Sequence, residues 1–200
     1  GRRAVKVSRW IEGRAGTVGA VVDEAGRVIV TAPIVQLTGL PELTPHPLGS
    51  CGNDFWWRPS PHPGDGPAEL AEGLGPVLAA RGYRGHFGVD FVFDGATTWL
   101  IEVNARFTAT FALAASRRPE LLHAHLAALR GEAITPTRLP PFRGGQMIAR
   151  NGTATRQPPI TAPGWQPHPS ETVGVGGRLG RFLTDGELVA ADGSLTVGLP

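Results

Sequence analysis

Apolar residues along the first third of the chain fall in short, strand-like groups. Val5 and Val7 with Trp10 and Ile11, then residues 17–22, then Val28-Ile29-Val30 predict three short strands, with a turn at Asp23-Glu24-Ala25-Gly26. Residues 39–66 are crowded with proline, glycine and histidine and predict one long loop. Leu70, Leu74, Val77 and Leu78 then recur at helical spacing, predicting a helix over 68–81 that Gly82 stops. Residues 85–94 and 97–104 read as a β-hairpin. Two helices are predicted at 109–116 and 119–129, the second with Pro119 at its start and Leu121, Leu122, Leu126 and Leu129 as its buried stripe. After Arg130 the texture changes. Residues 135–170 are rich in proline and threonine around one short apolar strand at 146–149, and residues 173–198 read as glycine-punctuated hairpins. The expected class is α+β, with one unit over 1–130 and a small β-rich extension over 131–200.

The hairpin carries the densest candidate chemistry. Strand side chains alternate between faces, so Val89, Phe91 and Phe93 share one face of its first strand, and Asp90 and Val92 share the other. A three-residue loop at 95–97 would set Asp90 directly opposite Glu102, with Asn104 farther along that face and Arg106 two residues on. Opposed positions hold Cβ atoms about 4.5–5.5 Å apart. Two carboxylates at about 5 Å repel by roughly 3 kcal/mol at an effective dielectric of about 20. Two readings follow. The acids are either surface groups bridged by Arg84 or Arg106, or ligands of a hard cation such as Mg²⁺, which favours oxygen donors and substrate phosphates. In the second reading Arg106 is a bidentate phosphate donor.

Composition narrows the classes. The 200 residues are 41% apolar and 18% charged, and no apolar run approaches the roughly 18 residues of a membrane span. Net charge is +2 with no basic stripe, which argues against nucleic acid. Cys51 is the single cysteine, so no internal disulfide forms and a reducing, cytoplasmic setting is the default. The first residues carry no signal core and run straight into strand-like alternation, as expected of a chain that begins mid-domain.

Residues 85–94 (GHFGVDFVFD) followed by 99–108 (WLIEVNARFT) resemble the signature end of the ATP-grasp superfamily. That resemblance implies the C-terminal lobe of an ATP-grasp fold: a mostly antiparallel sheet with flanking helices, its N-terminal lobe and preceding domain lying outside this sequence. It further implies that Asp90, Glu102 and Asn104 hold Mg²⁺ (or Mn²⁺) and that Arg106 is the catalytic, phosphate-contacting group. Residues 5–13 resemble the family's hinge strand, whose backbone near Arg9, Trp10 and Ile11 would hold the adenine of ATP. The implied activity is ligation of a small-molecule carboxylate to an amine through an acyl-phosphate. A catalytically silent nucleotide-binding relative and a biotin-dependent-carboxylase-like enzyme are the alternatives. The implied lysines of the N-terminal lobe lie outside the sequence, and Lys6, its sole lysine, sits on the hinge. Residues 1–200 alone are therefore expected to be inactive. Partners are small molecules, not nucleic acid or membrane, and a homo-oligomer is left open. Arg14, Ala15 and Gly16 stand where relatives carry a ribose-binding acid.

Other motifs are weaker. Gly52-Asn53-Asp54-Phe55-Trp56-Trp57 is either a substrate flap or aromatic packing. His46 and His62 are too irregularly spaced for a metal site, and His123 and His125 point to different helix faces. The glycine-rich segment 174–180 lacks the flanking strand and helix of a phosphate loop.

Overall fold

The computed structural model describes residues 7–41, 43–151, 165–167 and 178–196. Its strands are β1 (Arg14–Val22), β2 (Val28–Val30), β3 (Ile34–Thr38), β4 (Ser50–Asp54), β5 (Gly85–Phe93), β6 (Thr98–Asn104), β7 (Thr137–Arg138), β8 (Gly145–Asn151), β9 (Trp165–Pro167) and β10 (Arg178–Thr184). Its helices are α1 (Gly66–Ala79), α2 (Phe111–Arg117) and α3 (Pro119–Leu129). The strands form one sheet in the order β6-β5-β1-β3-β4-β8-β10-β9, with β2 beside β1 and β7 beside β2. All pairings are antiparallel except the β2–β7 pair. The class is α+β: an antiparallel sheet with a few flanking helices.

Alternation gives the sheet two different faces. Val18, Ala20 and Val22 of β1, Val35 and Leu37 of β3, and Phe87, Val89, Phe91 and Phe93 of β5 form one apolar face, which packs with Ala68 and Ala71 of α1. Trp57 stacks on Phe91 at 5.8 Å between ring centroids, and a Cβ on Gly16 would collide with both rings. On the opposite face Val21 and Ile34 pack with Ile29 and Phe55 beneath Ala114 of α2 and Leu121, Ala124 and Ala128 of α3. These helices cover one end of that face, and the candidate site occupies the other.

Several expectations are corrected. Residues 7–13 form no strand, since no described strand lies alongside to take up their backbone hydrogen bonds; Val7 is 90% and Trp10 66% exposed. Val5 and Lys6 of the expected hinge strand lie outside the described residues. The expected 39–66 loop contains β4, whose Ser-Cys-Gly-Asn-Asp sequence has no strand propensity. Its backbone is instead paired on both sides, by β3 and β8. On α3 the buried stripe is Leu121, Ala124 and Ala128, while Leu122, Leu126 and Leu129 are exposed: small residues let the helix lie close to the sheet. The glycine-rich segment is described only from Arg178, and residues 174–177 lie outside.

Sheet and core both run across residue 130. Strand β8 pairs with β4, and Leu188 and Val189 join the same core cluster as Ala68 and Ala71 of α1. Buried Asp54 accepts the backbone N–H groups of Leu188 (2.7 Å) and Val189 (2.8 Å), which ties that segment to β4.

Candidate functional site

The site begins with the hairpin register. Asp90 lies directly opposite Glu102, Val89 opposite Val103 and Gly88 opposite Asn104. This pairing arises by a route the spacing did not predict. The loop has four residues, Asp94 to Thr97, closed by the Asp94 N–H on the Thr97 carbonyl, and Phe91 pairs with Leu100. Ile101 is left as a one-residue bulge that brings Glu102 back opposite Asp90. Leu100 consequently pairs with Phe91, and Trp99 takes the place expected for it opposite Val92.

The polar side chains form a connected chain. Asp90 is half-buried; its Oδ1 accepts from Gln36 Nε2 (2.9 Å) and its Oδ2 from Asn104 Nδ2 (3.1 Å). Arg106 Nη2 donates to Asn104 Oδ1 at 3.0 Å. Burial raises the Asp90 pKa above the ordinary carboxylate value, and the Glu102 charge raises it further. Hydrogen bonds from Thr17 and Gln36 and the Arg106 charge oppose that rise. Glu102 itself is exposed. Asp90, Glu102, Asn104 and Arg106 are thus brought together.

Three further residues, which the sequence reading missed, continue the row. Gln36 pairs across β3–β4 with Asn53, and Asn53 pairs across β4–β8 with Gln146, so all three lie on the Asp90 face. Gln146 Nε2 contacts Asn53 Oδ1 (3.3 Å) and donates to the Ala109 carbonyl (2.9 Å). Gln36 and Gln146 are each a lone polar residue beside apolar ones, a signal present in Ile34-Val35-Gln36-Leu37 and Gln146-Met147-Ile148, whereas Asn53, next to Asp54, gave none.

Arg9, Trp10 and Ile11 line an open cleft of about 960 Å³, with Gln36, Val92 and Ile101 among its other walls. Gln36 therefore belongs both to the cleft and to the Asp90 cluster. The aromatic segment is packing rather than a flap: Phe55 and Trp57 are buried, and the Trp57 indole N–H donates to the Pro59 carbonyl. His62 accepts the Gly64 N–H, and His125 Nδ1 accepts the His86 N–H at 3.0 Å.

The two facing carboxylates, Asp90 and Glu102, disfavour each other across the strand pair and are the groups here that fit a hard divalent ion; Asn104 beside them turns its amide N–H to Asp90 and its oxygen to Arg106. Among the described residues no three His, Cys, Asp or Glu side chains gather as metal ligands.

No protein-family model matches the sequence, and no curated protein matches it. Solved structures do. A putative ATP-grasp superfamily protein from Archaeoglobus fulgidus is similar at 22% identity and a TM-score of 0.50, over 88% of this chain and 46% of that one. The chain has an ATP-grasp fold. The biotin carboxylase of Campylobacter jejuni, solved as a β,γ-ATP complex, is similar at 15% identity and a TM-score of 0.55, over 88% of this chain and 42% of that one. A carboxyaminoimidazole ribonucleotide synthase from Aspergillus clavatus, complexed with ATP, matches at 14% identity and a TM-score of 0.52, over 88% and 47%. The chain spans less than half the length of each of these structures. No helix among its described residues is long and apolar enough to cross a membrane.

Proposed function

We propose that this ATP-grasp chain is part of an ATP- and Mg²⁺-dependent ligase that joins a carboxylate to an amine or similar nucleophile through an acyl-phosphate. The observation that carries the reading is the hydrogen-bonded chain Gln36–Asp90–Asn104–Arg106 beside Glu102, at the rim of the cleft lined by Arg9, Trp10 and Ile11. The names of the solved neighbours, a carboxylase and a ribonucleotide synthase, support a ligase.

In this reading Asp90, Glu102 and Asn104 would hold the divalent ion, which would supply Lewis-acid charge neutralisation and a template for the triphosphate. Burial matters to that role. It weakens the hold of water on Asp90 and leaves a carboxylate that gains from a cation beside it. Arg106, oriented by Asn104, would grip oxygens of the transferring phosphoryl group, whose charge is spread over its equatorial oxygens. A carboxylate oxygen would attack the γ-phosphorus as ADP leaves. The amine nitrogen would then attack the acyl carbon, releasing phosphate and a proton. The chain's contribution is alignment and charge stabilisation. The backbone of residues 9–11 would hold the adenine, and a reducing cytoplasmic setting belongs to the same proposal.

The test is Glu102→Gln in the complete natural chain, assayed for ADP formation. A fall of at least about a hundredfold is expected, in line with the loss of a group that stabilises transition-state charge. Undiminished turnover would remove Glu102 from the chemistry and the ligase reading with it.

A further inference from the structure

We propose that His86 and Gln146 are positioning residues for Arg106, gripping the segment 105–110 at its two ends so that the guanidinium is presented beside Asp90 and Glu102. The proposal rests on the reading of Arg106 as the phosphate-holding group. That segment links β6 to α2 and carries the exposed side chains of Arg106 and Phe107.

Two of its carbonyls are held by buried side chains from strands distant in sequence. His86 Nδ1 lies 3.1 Å from the Arg106 carbonyl, and Gln146 Nε2 lies 2.9 Å from the Ala109 carbonyl. A carbonyl can only accept, so the His86 proton sits on Nδ1. His86 Nε2 agrees with that tautomer: it is buried and has no partner among the described residues. Burial, the largest influence, lowers the His86 pKa to about 4, which keeps the ring neutral.

The residue itself is fixed from three sides. His125 accepts its N–H, the Tyr83 hydroxyl donates to its carbonyl, and Phe111 packs edge-on against its ring at 4.6 Å. Between His86 and Asp90 on the same face stands Gly88, where a Cβ would collide with Thr108 Cγ2, so the segment lies directly on the sheet. Gln146 is anchored in turn by Asn53. An exposed arginine has many rotamers, and fixing its backbone at both ends narrows the directions its fork can take. Gln146 lies on β8, so the part of the chain after residue 130 would take part in setting this group.

The test uses the complete natural chain, with excess Mg²⁺ and two probes measured by titration calorimetry: a non-hydrolysable β,γ-analogue of ATP, and ADP. An arginine that holds the terminal phosphate makes the first probe bind better than the second. His86→Leu and Gln146→Met are each expected to lower the ratio of the two affinities about tenfold, the scale of one charge-assisted hydrogen bond. ADP affinity should stay within about twofold of the original, within the scatter of a single weak contact. A purely structural loss would weaken both probes together. His86→Asn, whose amide N–H can stand near the place of Nδ1–H, should restore the ratio. In an Arg106→Ala background, where the ratio is already low, His86→Leu should lower it no further. Gln146→Met carries the test alone if His86→Leu does not fold. A ratio lowered by Arg106→Ala but unchanged by Gln146→Met and His86→Leu overturns the positioning role and leaves Arg106 assigned. A ratio unchanged by Arg106→Ala overturns the assignment of Arg106 and, with it, this proposal.

Discussion

The two faces of the sheet are drawn from the same strands and use them differently. On β5, Phe87, Val89, Phe91 and Phe93 point into the mainly apolar core that includes Ala68 and Ala71 of α1, while His86, Gly88, Asp90 and Val92 point the other way. The first set makes the element stable. The second carries a histidine with an orphaned nitrogen and a carboxylate whose burial favours its neutral form. One strand can therefore serve as structural beam and reactive surface at once, because adjacent residues never share a face.

That contrast can be broken in four ways. Phe91→Ala, which empties the apolar face beneath Trp57, should cost about 3–5 kcal/mol of stability by chemical denaturation. A much smaller loss would mean the α1 face is not the main source of stability.

Acidification probes the other face. His86 is a group whose folded pKa, about 4, lies below its ordinary value of 6.5, so the unfolded chain binds its proton first. Stability from this group is complete above about pH 6.5 and is lost as pH falls towards 4. Going from pH 7 to pH 5 should cost about 2 kcal/mol, and His86→Asn should flatten that slope. An unchanged slope in the variant would show that the ring is not held neutral.

Asp90 has the opposite sign. Its folded pKa is raised, so the ionised form at neutral pH weakens the fold, and protonation as pH falls relieves it. Asp90→Asn should raise the melting temperature in the absence of divalent ions by about 2–4 °C, the scale of 1 kcal/mol in a domain of this size. The same variant should lose any Mg²⁺-induced rise in melting temperature. A drop without Mg²⁺ would show that Asp90 serves the fold instead.

The smallest effect is expected on α3. Leu122→Ala, on the exposed side of that helix, should change stability by no more than about 0.5 kcal/mol. Leu121→Ala, one residue earlier and fully buried, should cost about 2–5 kcal/mol.

How far the sequence revealed this arrangement depended on distance along the chain. Asp90, Glu102 and Asn104 stand within 15 residues on one hairpin, and their pairing could be reasoned from alternation. Even so, the expected three-residue loop was replaced by a four-residue loop and a bulge whose effects cancel at Glu102. Periodicity carries no sign of a bulge. Gln36, Asn53 and Gln146 come from three other strands, and only the sheet order shows that they extend the same row. Strand β4 was hidden by its composition, because Gly52 and Asn53 read as turn residues until β3 and β8 are known to flank them. On α3 the leucines marked helical periodicity correctly, but the helix face was set by how closely Ala124 and Ala128 approach the sheet.

The extra residue at Ile101 bears on solubility as well. Among the described residues strand β6 ends the sheet, and Trp99, Leu100 and Ile101 give it three consecutive exposed apolar side chains, the composition of a sticky border that could recruit a strand from another molecule. A kinked ladder there offers a poor template, since an incoming strand would meet amide groups out of step halfway along. The irregularity that aligns the acids thus also makes that border a poorer template for an added strand.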